Sequence, residues 1–434
     1  MHGHVEIVEE LLKNGADTTA KNDCNSTAWD LAVKYGYGDK LPMLKGALPN
    51  LSQKAQFYEI NVRGYIFKVP SRYKNVEHCE KGGYGRVATA IDDLTEKEKD
   101  VVIKRVPIDF SEELPEKNVY REFMLLKIIK HPNIISLLNA YTPDINVDSF
   151  DTVYFVMPFV TSTLSSRLGP SNEQFKNDAV LEIIYKLLCG LKYMHMFGIV
   201  HRDLNPRNIG ISENGEPIIF DLGLSRAETE NFITNRVGTY SYMAPEIFLG
   251  IKIKSFVHMV KSDIWSLACI WIEMITRDHF IDNRGKPPHE YWFRILEKLG
   301  TPDGKFMNKI PNLDLRAYYQ ALSKYEAKSP SELIPAKKFH VFVQDDEEHI
   351  NAVQQTISTM LKFDPEQRVS AQDLVDKFER MNWVVKQEFN VEKIEIKHFK
   401  ETCKEARENP ELWKDMLFNS LEEYKIKNDV FGGK

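Results

Sequence analysis

The feature that most restricts the fold is a cluster of acids and amides near the middle of the 434-residue chain. Asp203 and Asn208 lie five residues apart in the run His-Arg-Asp-Leu-Asn-Pro-Arg-Asn, so one loop carries both. Asp221 follows a short apolar run that ends at Phe220, and this run predicts a strand ending in a turn. The spacing brings two carboxylates and an amide to one point, which requires a fold in which a loop and a strand end meet.

Such a point suits phosphoryl transfer, in which a protein positions the nucleophile and holds metal ions on the phosphates. The segments HRDLNPRN and DLG resemble the catalytic loop and the metal-binding turn of eukaryotic protein kinases. An unrelated charged loop shares His-Arg-Asp by chance more easily than it shares the later asparagine and Asp-x-Gly as well. The resemblance implies an α+β fold with two lobes, an N lobe of antiparallel sheet plus the helix αC and a mostly helical C lobe.

The resemblance covers residues 64–385 and can be narrowed. The segments FKVPSRYKNV, KLGTPDGKFMNKI and MLKFDPEQRVSAQDL look like mitogen-activated protein kinases of the CMGC group. This implies ATP and Mg²⁺ as cofactors and protein substrates. Residues 386–434 are charged with helical spacing of apolar residues, and we predict a tail packed on the domain, on a surface that the sequence does not identify.

Residues 1–47 differ from the rest of the chain. Two helical segments flank Asn-Gly-Ala-Asp, and the second begins Ser-Thr-Ala-Trp-Asp-Leu-Ala, which together resemble part of an ankyrin-repeat array. We therefore expect ankyrin-like helices that bind a protein partner or cap the next domain, with an ordinary helical hairpin as the alternative. Residues 48–63 are predicted to be a linker.

Upstream of the catalytic loop, a glycine-rich turn and an apolar strand carry further matches. The turn resembles the phosphate-covering loop of kinases, in which glycines let backbone N–H groups approach phosphates closely. Lys104 lies on an apolar strand, and Glu122 begins an amphipathic helix 18 residues later. Either charge alone is typical of a solvated surface, but together they resemble the β3 lysine and αC glutamate of kinases. In this reading the loop contributes Gly82, Gly83, Gly85 and Val87 to nucleotide binding.

The adenine site follows from the same resemblance. Met157 falls at the gatekeeper position and Phe159 in the hinge between the lobes, although plain core packing also accounts for Met157. Val102 and Gly210 stand where alanine and leucine usually cushion adenine. Val102 is larger than the usual alanine, and Gly210 is smaller than the usual leucine. We therefore expect the nucleotide plane to shift slightly toward the lower lobe.

The remaining roles are also those that the family implies. Asp203 accepts or orients the substrate hydroxyl proton, Asn208 and Asp221 hold Mg²⁺, and Lys104 holds the α- and β-phosphates of ATP. Asp263 resembles the aspartate that braces the catalytic loop. Two residues are predicted to form a structural ion pair, namely Glu246 and Arg368.

Three departures from the family pattern concern the catalytic centre. Asn205 replaces the lysine that steadies the γ-phosphate in serine/threonine kinases, and Arg207 supplies a cation two residues later, as in tyrosine kinases of the HRDLAARN type. The alternative is that Arg207 is only solvated. Glu80 places a carboxylate near the phosphate loop, which weakens ATP binding by repulsion, and Leu222 replaces phenylalanine in an internal column.

We predict a serine/threonine kinase, because Thr239 occupies the position whose threonine contacts the catalytic aspartate in that class. The alternatives are a catalytically silent pseudokinase scaffold, which Asn205 and Glu80 favour, and an ankyrin interaction protein. The T-x-Y activation switch falls on Thr234-Asn235-Arg236, so its tyrosine is missing. Met243 replaces an arginine associated with proline-directed specificity.

Composition excludes other classes. The net charge of −6, with acids and bases interspersed, predicts no nucleic-acid surface, and no apolar run is long enough to predict a membrane span. The five cysteines form no C-x-x-C pair. We interpret them as reduced thiols and expect a location in the cytoplasm or the nucleus.

Overall fold

The computed structural model describes residue 8, residues 27–34, residue 44 and residues 57–81, 85–94, 99–108, 113–169, 175–227, 238–253, 255–283, 285–339, 347–386 and 412–428. Within them the predicted two-lobed architecture is confirmed, with a strand-rich N lobe and a mostly helical C lobe.

The N lobe is built on a five-stranded antiparallel sheet with the strand order β3-β4-β5-β7-β6. Its central strands are rich in β-branched residues, which favour the pleated conformation and pack well on a half-buried surface. The helix α2 crosses one face and buries Phe123, whose ring stacks on Phe155 of β7. The elements are β3 (Tyr73–Lys81), β4 (Arg86–Asp92), β5 (Lys99–Pro107), α2 (Glu113–Ile128), β6 (Asn139–Tyr141) and β7 (Thr152–Pro158).

A hairpin precedes this sheet and begins at Phe57, before the predicted start of the kinase domain at residue 64. Strand β1 (Phe57–Val62) pairs antiparallel with β2 (Tyr65–Pro70). The two-residue turn places Arg63 and Gly64 at positive φ, as the twist of a tight hairpin favours. We expected a linker over 48–63, but β1 occupies its second half, because alternating Tyr and Ile residues there give one face that packs on the domain.

The C lobe surrounds one nearly fully buried helix, α7, in which every residue from Ser262 to Ile275 is buried. Its helices are α3 (Leu164–Arg167), α4 (Asn177–Met196), α5 (Pro245–Phe248), α6 (Phe256–Met259), α7 (Lys261–Thr276), α8 (Pro288–Leu299), α9 (Gly304–Met307), α10 (Leu313–Ala321), α11 (Pro330–Leu333), α12 (Glu347–Met360) and α13 (Ala371–Arg380). The short strands are β8 (Ser162–Thr163), β9 (Ile199–Val200), β10 (Ile209–Ile211), β11 (Pro217–Ile219) and β12 (Arg226–Ala227).

The last described helix, α14 (Leu412–Asn428), packs on the N lobe. The ring of Trp413 meets Tyr120 of α2 edge-on at 5.3 Å, and Tyr424 meets Phe123 at 5.8 Å. Phe418 contacts Phe150, which precedes β7. The helical tail was predicted, and its position behind α2 is new information from the structure.

Of residues 1–47, the structure describes the helix α1 (Ala28–Lys34) and two single residues. Thr27 caps α1, because its hydroxyl accepts from Asp30 N at 3.2 Å and the Asp30 carboxylate accepts from Thr27 N at 2.7 Å. Ala32 and Leu44 form a small apolar cluster of their own. The rest of the expected ankyrin-like segment lies outside the described residues, so no repeat is shown.

Over the stretches that the structure describes, none of the helices combines the length and the apolar character that crossing a lipid bilayer requires.

Candidate active site

The catalytic loop is held in place by a buried carboxylate at the start of α7. Asp263 accepts hydrogen bonds from the backbone N–H groups of His201 and Arg202, both at 2.9 Å, and lies 2.9 Å from His195 Nε2. Burial alone would raise the pKa of Asp263, but the hydrogen bond and the charge of His195 outweigh it and lower the pKa. Arg202 has a left-handed backbone with φ of 71°. The anionic brace therefore fixes an uncommon turn just before Asp203.

Three hydrogen bonds from two residues orient the carboxylate of Asp203. Oδ1 accepts from Thr239 N at 2.9 Å and from Thr239 Oγ1 at 3.0 Å, while Oδ2 accepts from Asn208 Nδ2 at 3.0 Å. Both oxygens are thereby fixed, yet the residue is only half-buried. The structure therefore brings together Asp203, Asn208 and Thr239, which the sequence analysis assigned to the catalytic site.

Asn205 and Arg207 point in different directions. Asn205 is buried, and its Nδ2 donates to Asp203 O at 2.9 Å and to Thr239 Oγ1 at 3.3 Å. Its Oδ1 accepts from Arg207 N at 3.0 Å, so the side chain closes the loop on itself. Arg207 is exposed, and its Nη2 lies 3.5 Å from Thr239 Oγ1. The guanidinium thus stands next to the threonine that contacts Asp203.

A charged cluster joins the two lobes. Lys104 Nζ donates to Glu122 Oε1 at 2.5 Å and lies 3.8 Å from Asp221 Oδ1. Burial raises the pKa of Glu122, while the charge of Lys104 opposes that rise. Lys104 and Glu122 belong to the N lobe, and Asp221 belongs to the C lobe. The cluster therefore depends on the relative position of the two lobes.

The acids of the cleft fit a divalent cation. Asp221 adopts a left-handed backbone with φ of 64°, and its Oδ1 is buried and accepts no hydrogen bond from the part of the chain that the structure describes. The amide nitrogen of Asn208 is engaged with Asp203, so its oxygen is the atom that remains for a cation. Oxygen ligands of this type suit Mg²⁺, which usually takes one or two carboxylates and completes its shell with water and phosphate.

Leu222 replaces the usual phenylalanine without leaving a gap. It is fully buried in a short 3-10 turn (Leu222–Leu224) that packs against α2. His201, Leu126 and Leu137 are buried as well. All four residues of the predicted internal column are therefore buried.

The glycine-rich loop is described in part. Gly82 and Gly83 lie outside the described residues, and Val87 is the second residue of β4, opposite Lys104 of β5. Gly85 cannot carry a side chain, since a Cβ there would collide with the carbonyl oxygen of Arg105. Glu80 is exposed at the end of β3.

The walls of the cleft include one residue that the sequence did not identify. Val102 and Met157 face each other across β5 and β7, and Phe159 is exposed in the connection between the lobes. The volume missing at Gly210 is filled by the ring of Phe220, whose Cε1 lies 2.8 Å from where a Cβ of Gly210 would stand. The shift of the nucleotide toward the lower lobe stays a prediction, although Phe220 takes up the space that was expected to be empty at Gly210. Phe220 is the residue that the sequence analysis did not identify. The glycine at position 210 together with the aromatic residue at position 220 could have indicated it.

The predicted ion pair between Glu246 and Arg368 is present. Arg368 Nη1 and Nη2 donate to the two carboxylate oxygens at 2.7 and 2.9 Å, and both side chains are fully buried. The guanidinium also donates to the backbone oxygens of Lys261, Lys362 and Phe363. The pair ties the end of the cleft segment to the C-terminal helices.

Comparison with known proteins gives consistent matches. Residues 73–378 match the protein kinase domain family. GLH-binding kinase 1 of Caenorhabditis elegans is 32% identical over 390 residues, which cover 87% of this chain and 97% of that relative. Stress-activated protein kinase JNK of Drosophila melanogaster is 33% identical, over 86% of this chain and 97% of the relative. Mitogen-activated protein kinase 13 of Mus musculus is 36% identical, over 66% and 75% respectively.

Proposed function

The chain belongs to the protein kinase family, as a mitogen-activated-protein-kinase-like serine/threonine kinase, and from this premise we propose which of its residues transfer the γ-phosphate of ATP. Kinases of this family use ATP and Mg²⁺ in general. Bound Mg²⁺, which Asn208 and Asp221 would hold, would offset negative charge on the phosphates.

We assign the steps by the contacts in the cleft. Asp203 orients the substrate hydroxyl and takes its proton, because its carboxylate is fixed by Thr239 and Asn208 and still reaches the cleft. Asn208 and Asp221 hold the cation. Lys104, fixed by Glu122, binds the α- and β-phosphates, and its ammonium offsets their charge.

The observation that carries this proposal is the cluster of Lys104, Glu122 and Asp221 across the two lobes. A scaffold that only binds partners has no need of a complete cationic and anionic set in its cleft. The test is a γ-phosphate transfer assay with the purified chain, Mg²⁺ and a generic serine/threonine substrate protein. Nucleotide binding without transfer would favour the pseudokinase alternative. Asn205 and Glu80, which depart from the family pattern, also favour it.

Arg207 should contribute more to turnover than Asn205. A cation beside a developing phosphate charge contributes several kcal/mol, so we expect Arg207→Ala to lower kcat about 10²-fold. Asn205→Ala removes neutral hydrogen bonds and should lower kcat roughly tenfold. Steady-state kinetics of the two variants measure the difference.

A cation at position 205 provides the control. In the Arg207→Ala background, Asn205→Lys should recover part of the lost kcat, because it restores the charge at the usual place. Equal losses for Arg207→Ala and Asn205→Ala, with no rescue by the lysine, would refute the displaced cation.

We also propose that regulation differs from the dual-phosphorylation switch. Thr234 and Arg236 lie outside the described residues, so this rests on the sequence. A phosphate on Thr234 adds nearly two negative charges and can draw in Arg202 next to Asp203. Met243 is buried where an arginine is usual, in a pocket whose other walls include Leu204 and Ile247. Met243 lacks the hydrogen-bond donors of an arginine, and this difference supports weak demand for proline after the target residue.

Activity should therefore need no tyrosine phosphorylation. Thr234→Glu should raise kcat modestly over Thr234→Ala, because the carboxylate imitates part of the phosphate charge. A peptide library phosphorylated by both variants should show little selection for proline. Identical activity of the two variants would remove the switch, and a strict requirement for proline would show that Met243 has no such effect.

The segments outside the kinase domain are assigned by composition. We propose that residues 1–47 bind a protein partner through ankyrin-like helices, which the capped helix α1 supports. Three described cysteines, Cys79, Cys189 and Cys269, are free thiols, which supports a reducing compartment such as the cytoplasm or the nucleus.

A further inference from the structure

A side chain is missing from the centre of the cleft floor. Gly210 is the middle residue of β10, which lies between β11 and β8. Its backbone is opposite Ile218 on one side and Thr163 on the other. The residue is fully enclosed by its neighbours, so the strand itself offers no apolar surface to a ligand at this point.

The ring of Phe220 fills that place. A Cβ built on Gly210 would stand 2.8 Å from Phe220 Cε1 and 2.6 Å from Val160 Cγ1, so a side chain there cannot coexist with these two groups as they stand. Real Cβ atoms do not approach other heavy atoms so closely, and one of the neighbours would have to move. Gly210 and Phe220 are thus matched in size.

The backbone on both sides of the ring is fixed. Phe220 N donates to Asn208 O at 3.1 Å, and Phe220 O lies 3.2 Å from His201 Nε2. The ring is half-buried and lies beside Val160, two residues after the inter-lobe residue Pro158. An apolar aromatic surface therefore lies between the hinge and the cation-binding Asp221.

We propose that Phe220 forms the floor of the adenine site, and that adenine stacks on its ring where an aliphatic side chain from β10 is usual. The inference rests on the proposed function, because it requires ATP to occupy this cleft. Stacking of a base on an aromatic side chain is attractive whatever the base, since every base has a π face. Phe220 would then set how tightly the base is held, while Lys104 and Asp221 hold the phosphates.

The experiment measures nucleoside binding and stability of the full-length protein without turnover. Phe220→Ala should weaken adenosine binding about tenfold in calorimetry, which is the ordinary loss for one stacked base. Gly210→Ala should weaken it as well, because the added methyl group displaces the ring. In the double variant Gly210→Leu/Phe220→Ala, the leucine fills the space from β10, and adenosine affinity should return to within about threefold of the original.

Two controls separate this role from plain packing. Magnesium tripolyphosphate, which lacks a base, should bind Phe220→Ala and the unaltered protein equally. Tyr318→Ala, which truncates an exposed aromatic residue of α10, should bind adenosine unchanged. Thermal melting of each variant without ligand reports any loss of fold, and adenosine affinities are compared only among variants that melt cooperatively.

The outcomes are distinct. Unchanged adenosine affinity of Phe220→Ala would show that the ring only packs, and tighter binding would show that it obstructs the site. Either result overturns the inference and leaves the proposed function standing if phosphate transfer persists. Failure of the unaltered protein to bind adenosine would overturn the inference, and the proposed function would fall as well only if phosphate transfer were also absent.

Discussion

Asp203→Asn should lower kcat by about 10²–10⁴-fold, the usual contribution of a positioned proton acceptor, while ATP affinity stays nearly the same. The carboxylate touches Thr239 and Asn208 and is assigned to the substrate hydroxyl, so its loss affects the chemical step. Transfer of ³²P to a protein substrate gives kcat, and equilibrium binding of a nucleotide gives affinity.

Two comparisons make this result interpretable. Asp221→Asn should instead weaken binding of magnesium nucleotide, because Asp221 is assigned to the cation. Asp314→Asn makes the same chemical change at an exposed helix start and should leave both quantities unchanged. If Asp203→Asn loses affinity and turnover in parallel and melts early, the asparagine has damaged the loop, and the assignment of Asp203 fails.

Arg368→Ala should lower the free energy of unfolding by about 3–5 kcal/mol, since it leaves Glu246 buried without its partner. Three backbone oxygens that accept from the guanidinium lose their donor at the same time. Chemical denaturation with a spectroscopic probe measures the loss.

The matched control is an exposed pair in the first hairpin. Lys68 lies 3.3 Å from Glu59, with side chains 47% and 61% exposed, and Lys68→Ala should cost less than about 1 kcal/mol. The double variant Arg368→Met/Glu246→Leu removes both charges and should recover part of the loss. A cost for Arg368→Ala no greater than that for Lys68→Ala would mean that the buried pair contributes little.

Local spacing explains why the catalytic loop could be predicted. Asp203 and Asn208 share one short loop, and Asp221 follows a strand that the apolar run defines, so a few backbone geometries satisfy all three. The pair of Lys104 and Glu122 could also be predicted from the sequence, because a charge on an apolar strand requires a nearby partner. These features depend on segments of a few residues and on the chemistry of each side chain.

Other features depend on contacts between distant segments, which spacing does not encode. The role of Asn205 was judged from its missing charge, whereas the structure shows a buried amide that closes the loop through Asp203 O and Arg207 N. The exchange of volume between Gly210 and Phe220 involves two strands. The hairpin from Phe57 was missed because its short alternating pattern stands among polar residues that predict a linker.

The position of α14 has a consequence for the order in which the protein is made. Trp413 and Tyr424 lie against α2, whose own residues are synthesised about three hundred positions earlier in a chain that emerges N-terminus first. Throughout that interval Tyr120 and Phe123 lack the cover that α14 gives them. The N lobe therefore completes its packing only after α14 has been synthesised, and until then the aromatic face of α2 is open to contacts with other chains.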